Sequence, residues 1–287
     1  MKELMHKKIK SPVKYFGGKG NGIRETIYDH FPSPNTYDIY IEPFGGAANV
    51  LLGKPQFGIE IYNDLEENIY SLFKVVSDKA LFPKFKEMCD LAIYSHQFRD
   101  EYKEDLKKND LDILQRAFKY FYVNRTSVNG IGGFSVAQII RRNMSKSTSD
   151  FLSSIDGLDT IHNRMSSVII EKTDGLKLIE KYDKNKVFMY LDPPYVWSER
   201  SPTRYKVDMT NKQQEELINL LIGLKNAKIL LSGYNCELYK KLTDNGWSKF
   251  EFLVNMMDGN RKPKTSIEVL WKNYTNNDLS SKGSLWQ

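Results

Sequence analysis

Val187-Phe188-Met189-Tyr190-Leu191-Asp192-Pro193-Pro194-Tyr195 is an apolar run that stops at a carboxylate and two prolines. The run predicts a buried strand, with the tetrapeptide Asp192 to Tyr195 at its carboxyl end. In open α/β sheets that edge is where ligands bind. Each proline fixes φ and lacks an N–H, so the backbone there is stiff and offers only carbonyl acceptors. Asp192 adds an acceptor-only carboxylate, and Tyr195 a flat aromatic face. Such a set suits a planar ring bearing an exocyclic amino group, as in adenine or cytosine. A strand closed by turn-forming residues beside a surface tyrosine has the same sequence pattern. The choice rests on the rest of the chain.

Upstream, residues 37–41 predict a strand, Glu42-Pro43-Phe44-Gly45-Gly46 a turn and 47–52 a short helix. A second strand at 57–61 precedes Asn63-Asp64 and a helix over 65–76. This strand–turn–helix–strand order with a Gly-rich first turn opens a nucleotide-binding α/β unit. The turn is neither the G-x-G-x-x-G fingerprint nor a Walker sequence, which points away from a pyrophosphate. Its glycines let backbone approach a ligand closely, although an ordinary strand–helix turn is equally short. Asp64 is placed to bond ribose hydroxyls, or to cap the helix that follows it. Asp174, between a strand at 168–170 and a helix at 175–182, has the same two readings, and its carboxylate can accept an adenine amino group. The segment Lys14-Tyr15-Phe16-Gly17-Gly18-Lys19-Gly20 is a glycine loop able to close over an anion, or a disordered basic arm.

Between the sheet segments the character changes. Charged helical stretches at 97–108 and 111–122 lead to a loop at 124–133 and a basic, Ser-rich piece around Arg141-Arg142. Sheet-like segments resume after it. Beyond the tetrapeptide come an irregular loop (196–209) and a capping box, Thr210 with Gln213. The helix so capped carries Leu217, Leu220, Leu221 and Leu224 on one face. A strand at 229–231 and an antiparallel hairpin of 250–254 with 267–271 complete the pattern. The expected fold is α/β: a mainly parallel sheet with an antiparallel C-terminal hairpin and an inserted helical domain. Residues 1–77 and 166–287 form the sheet domain and 78–165 the insert.

Composition narrows the classes. The chain has 287 residues, 40% hydrophobic and 27% charged, enough to bury a core without staples. Cys89, Cys236 and the four histidines are scattered, which predicts no disulfide framework, no metal site and a reducing cytoplasm. No apolar run reaches membrane-span length, and the basic start lacks a signal-peptide core. A net charge of +6 fits a polyanionic partner, and 13% aromatic residues fit stacking on bases. A basic metabolic enzyme has the same profile.

Taken together the motifs resemble one family, the Dam-type DNA adenine-N6 methyltransferases that use S-adenosylmethionine. The resemblance spans most of the chain. Its pieces stand in family order: the Lys-Tyr-Phe-Gly-Gly-Lys arm, Glu-Pro-Phe-Gly-Gly, Asn63-Asp64, an inserted recognition region and Asp-Pro-Pro-Tyr. Asn124-Arg125 with Asn129-Gly130, Leu230-Leu231-Ser232-Gly233-Tyr234 and Glu268-Val269-Leu270-Trp271 also look like family signatures. The resemblance implies a Rossmann-like methyltransferase sheet. It further implies that Tyr15 and Lys19 contact the cofactor, with Glu42, Pro43, Phe44, Gly45 and Gly46 beneath its methionine part. Asp64 would bind its ribose and Asp174 its adenine. Asp192 and the Pro193 carbonyl, in the rigid frame of Pro194, would grip the target amino group beside the cofactor. Tyr195 would stack on a flipped base.

Double-stranded DNA is the implied partner, through Asn124, Arg125, Asn129, Arg141, Arg142 and Arg204, mostly at phosphates. After Gly130 the chain departs from the best-known members, so the target sequence does not carry over. The resemblance leaves open a cognate restriction endonuclease, and fits a bacterial or phage-encoded, nucleoid-associated protein. Two other readings stand beside it: the same fold acting on RNA or on cytosine N4, and a catalytically silent DNA-binding homologue.

Overall fold

The computed structural model describes residues 9–14, 19, 22–194, 209–257 and 263–278. The chain divides into two compact units, one of residues 1–19, 46–56 and 66–171, the other of 20–45, 57–65 and 172–287.

The second unit holds the sheet strands β1 (Ile39–Glu42), β2 (Ile59–Asn63), β6 (Val187–Leu191), β7 (Lys228–Gly233), β8 (Ser248–Met257) and β9 (Pro263–Lys272). Their spatial order is β2-β1-β6-β7-β9-β8. The pairs β2–β1, β1–β6 and β6–β7 are parallel, and β9 runs antiparallel to both neighbours. Helices α1 (Ile23–Tyr28), α9 (Gly175–Lys181), α10 (Asn211–Gly223) and α11 (Glu237–Asp244) accompany them.

The 187–191 strand forms as expected and is buried throughout. Its residues alternate between two apolar layers. Val187, Met189 and Leu191 join Ile41, Leu217, Leu221, Leu231 and Trp271 in one core. Phe188 belongs to an aromatic layer, with ring centroids 4.7 Å from Phe31, 5.5 Å from Tyr40 and 5.3 Å from Tyr37. An apolar run without alternation is what burial on both faces requires.

The C-terminal hairpin is longer than expected, pairing from Ser248↔Lys272 to Met257↔Pro263. The Thr210–Gln213 capping box forms. The buried face of α10, however, is Gln214, Leu217, Ile218 and Leu221 rather than the leucine row ending at Leu224. The face in contact with the sheet begins one turn earlier, and a polar residue at its start hid it.

The first unit is largely helical: α2 (Asn49–Gly53), α3 (Glu67–Ser77), α4 (Phe82–Asp90), α5 (His96–Asp105), α6 (Ile113–Thr126), α7 (Lys146–Asp156) and α8 (Leu158–Met165). A two-stranded ribbon, β3 (Ile140–Arg141) with β4 (Met144–Ser145), precedes α7. The strand β5 (Ile169–Glu171) follows α8. The expected loop at 124–133 begins late, because α6 continues to Thr126. Thr126 Oγ1 donates to the Tyr122 carbonyl at 2.8 Å and Ser127 Oγ to Val123 at 2.6 Å, satisfying acceptors of the last turn.

Candidate active site

Strands β2, β1, β6 and β7 end side by side at one sheet edge. From β1 the chain passes to β2 on one side, while β6 lies on the other, so the strand order reverses between β1 and β6. Such reversals open the crevice used for ligands in α/β sheets. The turn from Glu42 to Gly45 leaves β1, and Asp192-Pro193-Pro194 leaves β6.

Glu42 is 3% exposed and accepts a hydrogen bond from the Tyr40 hydroxyl at 2.7 Å. Burial, with the Glu42 charge and hydrogen bond, pushes the Tyr40 phenol well above its ordinary range. Tyr40 therefore stays a neutral donor that holds the carboxylate in place.

Asn63, the last residue of β2, ties two neighbouring loops to its strand. Its Nδ2 donates to the Pro43 carbonyl (2.8 Å) and the Thr173 carbonyl (2.9 Å), and its Oδ1 accepts from Thr173 N–H (2.8 Å). Its own carbonyl accepts from Gly45 N–H at 2.8 Å. A Cβ on Gly45 would lie 2.2 Å from the Tyr62 ring, and one on Gly175 would lie 2.5 Å from the Phe44 ring. Gly45 thus packs against the Tyr62 ring, while Phe44 covers the start of α9.

Asp174 stands at that start. Its Oδ1 accepts from Leu176 N–H (2.9 Å) and Lys177 N–H (3.2 Å), so the helix-cap reading holds. Oδ2 takes part in neither bond. For Asp64 the cap reading fails. Helix α3 starts at Glu67, and its cap is Glu66, whose side chain accepts from Ile69 N–H at 2.9 Å. Asp64 is half-buried just beyond the end of β2. Asp192 is half-buried, Pro193 buried and Pro194 half-buried.

The remaining candidates belong to the first unit or lie outside the described residues. Gly46 and Lys19 belong to the first unit, Gly46 with a left-handed φ of 47° and Lys19 only 4% exposed. Also in that unit, Asn124 is 3% exposed, its Oδ1 accepting from Lys14 N–H (2.7 Å) and its Nδ2 donating to the Lys14 carbonyl (2.9 Å). Lys14 Nζ donates to the carbonyls of Arg125 (2.8 Å) and Ser127 (3.1 Å), and burial lowers its pKa to about 8. Arg125 is half-buried. Asn129 is exposed with φ 51°, Arg141 pairs with Asp150 at 2.9 Å, and Arg142 has φ 54°. Tyr15, Tyr195 and Arg204 lie outside the described residues. The structural parts of Asn63 and Gln214 were not expected; the only signal for Asn63 was its place beside Asp64.

The family model for the D12 class N6 adenine-specific DNA methyltransferases matches residues 15–257. The chain belongs to this family. As a D12-class methyltransferase it is an enzyme that methylates adenine N6 in DNA site-specifically, with S-adenosylmethionine as the family's methyl donor. It is 26% identical to the Type II methyltransferase M.MjaIII of Methanocaldococcus jannaschii, over 93% of this chain and 99% of that protein. It is 24% identical to the Type II methyltransferase M.CviBI of a Paramecium bursaria Chlorella virus, over 65% of this chain and 69% of that one. Among the described residues of this methyltransferase, no helix is long and apolar enough to cross a membrane.

Proposed function

We propose that the methyltransferase binds S-adenosylmethionine along the β2-β1-β6 edge and receives a flipped adenine at Asp192-Pro193-Pro194-Tyr195. The observation that carries this reading is the reversal of strand order, which sets the Glu42 turn and the tetrapeptide on adjacent strands. The donor set fits the cofactor. Asp174 keeps Oδ2 apart from its helix cap, suited to an adenine amino group, and Asp64 suits ribose hydroxyls. The turn from Glu42 to Gly45, pinned by Asn63, would lie beneath the methionine part. Tyr15, Lys19 and Gly46 belong to the same proposed set. When bound, the cofactor supplies an electrophilic methyl group.

The chain's own residues have a different task. The amino nitrogen of adenine is a poor nucleophile because its lone pair is delocalised into the ring. The Asp192 carboxylate and the Pro193 carbonyl accept hydrogen bonds from its two N–H groups, favouring a pyramidal nitrogen with an exposed lone pair. The same acceptors stabilise the positive charge that develops on nitrogen. Orientation within the bound complex supplies a further part of the acceleration. Residues 78–165 would carry target recognition, with Arg125, Asn129, Arg141 and Arg142, and with Arg204 from the loop after the tetrapeptide, chiefly at phosphates. A cognate endonuclease partner is compatible with the Type II relatives.

Asp192→Ala tests the reading. Methyl transfer to duplex DNA should fall by about 100-fold or more, with cofactor affinity changed far less and thermal melting preserved. Full activity in this variant removes Asp192 from the site.

A further inference from the structure

Pro193 and Pro194 give the tetrapeptide its stiffness and leave two of its positions without an N–H. The proline carbonyls can be anchored only by a donor, and the prolines themselves supply none. Helix α10 brings one. Gln214 is fully buried, and its Nε2 donates to the Pro194 carbonyl, with Met209 Sδ 3.8 Å away. A side-chain amide can present either its oxygen or its nitrogen, and an oxygen turned to Pro194 would repel the carbonyl.

Tyr239 decides the orientation. Its hydroxyl lies 2.9 Å from Gln214 Oε1 and donates to it. Burial pushes the Tyr239 phenol up, with the charges of Cys236 and Asp192 adding to the effect, so it keeps its proton. The ring is held in turn. A Cβ on Gly233 would come within 2.9 Å of it, and Trp271 meets it edge-on with centroids 4.9 Å apart.

We infer that Gln214 is a positioning residue for methyl transfer, holding the Pro194 carbonyl in a hydrogen-bonded chain that starts at Tyr239. The inference rests on the proposed role of Asp192 and Pro193 in gripping the target amino group. Fixing the Pro194 carbonyl fixes the orientation of the adjoining Pro193-Pro194 peptide, and with it the Pro193 acceptor. Misplacement of such an acceptor by a fraction of an ångström costs rate rather than binding. Every buried amide needs partners, so a purely structural Gln214 would satisfy the same contacts. Kinetics separate the two roles.

The experiment uses the full chain with duplex DNA and S-adenosylmethionine, and measures kcat, both KM values, melting and pH profiles. Gln214→Leu keeps volume and removes the donor, and kcat should fall about tenfold with both KM values changed by less than about twofold. Tyr239→Phe should lower kcat less, by about threefold. Gln214→Glu keeps the shape. Its protonated carboxyl can still donate to Pro194, whereas the ionised form repels it. Its kcat should therefore fall with rising pH along a limb that the parent enzyme lacks.

Parent-like kcat in Gln214→Leu, or a parent-like pH profile in Gln214→Glu, overturns the inference. If Gln214→Leu does not fold, the Gln214→Glu profile decides. Asp192→Ala is run alongside. Its inactivity together with parent-like Gln214 variants removes only the positioning role, whereas its full activity removes the site on which the role depends.

Discussion

Asp174 divides its carboxylate between two jobs, one observed and one proposed. Oδ1 caps α9, and Oδ2 is assigned to the cofactor's adenine. Substitutions separate the jobs. Asp174→Asn keeps an acceptor for the cap and loses the charge, so melting should hold while cofactor binding weakens about tenfold. Asp174→Ala loses the cap as well and should cost about 1 kcal/mol of stability. Calorimetric titration with S-adenosylmethionine and thermal melts read the two effects separately. Unchanged affinity in both variants would take Asp174 out of the cofactor site. The cap at Asp174 was legible because this acid stands directly before the first residue of the helix. The acids Asp64, Glu66 and Glu67 crowd the start of α3, and spacing alone could not choose among them. Glu66 took the cap because its side chain reaches Ile69 N–H.

Elements set the shape of the crevice through what they leave no room for. Gly45→Ala would drive a methyl group into the Tyr62 ring, and Gly175→Ala into Phe44. Each should cost about 1–3 kcal/mol by overpacking and weaken cofactor binding, because the turn and the start of α9 must separate from their supports. Gly223, at the end of α10, has nothing within 4 Å of its added Cβ. Gly223→Ala should leave melting and binding unchanged or slightly improved. Equal behaviour of the three variants would contradict the packing argument. The glycines were readable as permissive for close approach. Which partner approached was not, because Phe44 and Gly175 lie far apart in sequence. The same limit hid Gln214: a leucine row marks a helix face, but only the sheet determines which turn of that face it covers.

At the scale of the whole molecule, burial of phenols governs alkaline stability. Tyr37, Tyr40, Tyr239 and Tyr274 are buried, and burial raises the pKa of each. Unfolded phenols ionise near pH 10, while the folded ones keep their protons beyond it. The folded state then binds more protons, so stability is intact below about pH 10 and falls as pH rises further. Lys14 works in the opposite sense. Its pKa of about 8 lies below the ordinary 10.5, so its penalty in the folded state is relieved between those values. Urea midpoints should therefore drop above about pH 10, and Tyr274→Phe should flatten the decline. A midpoint independent of pH in that range would refute the burial argument.

What the sequence determined by itself was local. An unalternating apolar run, a proline stop, a glycine turn and a capping box each act over a few residues, so each could be read directly. Family membership followed from the order of those pieces. Tertiary structure alone decided the reversal of strands between β1 and β6, the tie made by Asn63 and the grip of Gln214 on Pro194. These joins are made by side chains and ladders between residues distant in sequence. Their partners exist only after the core has packed.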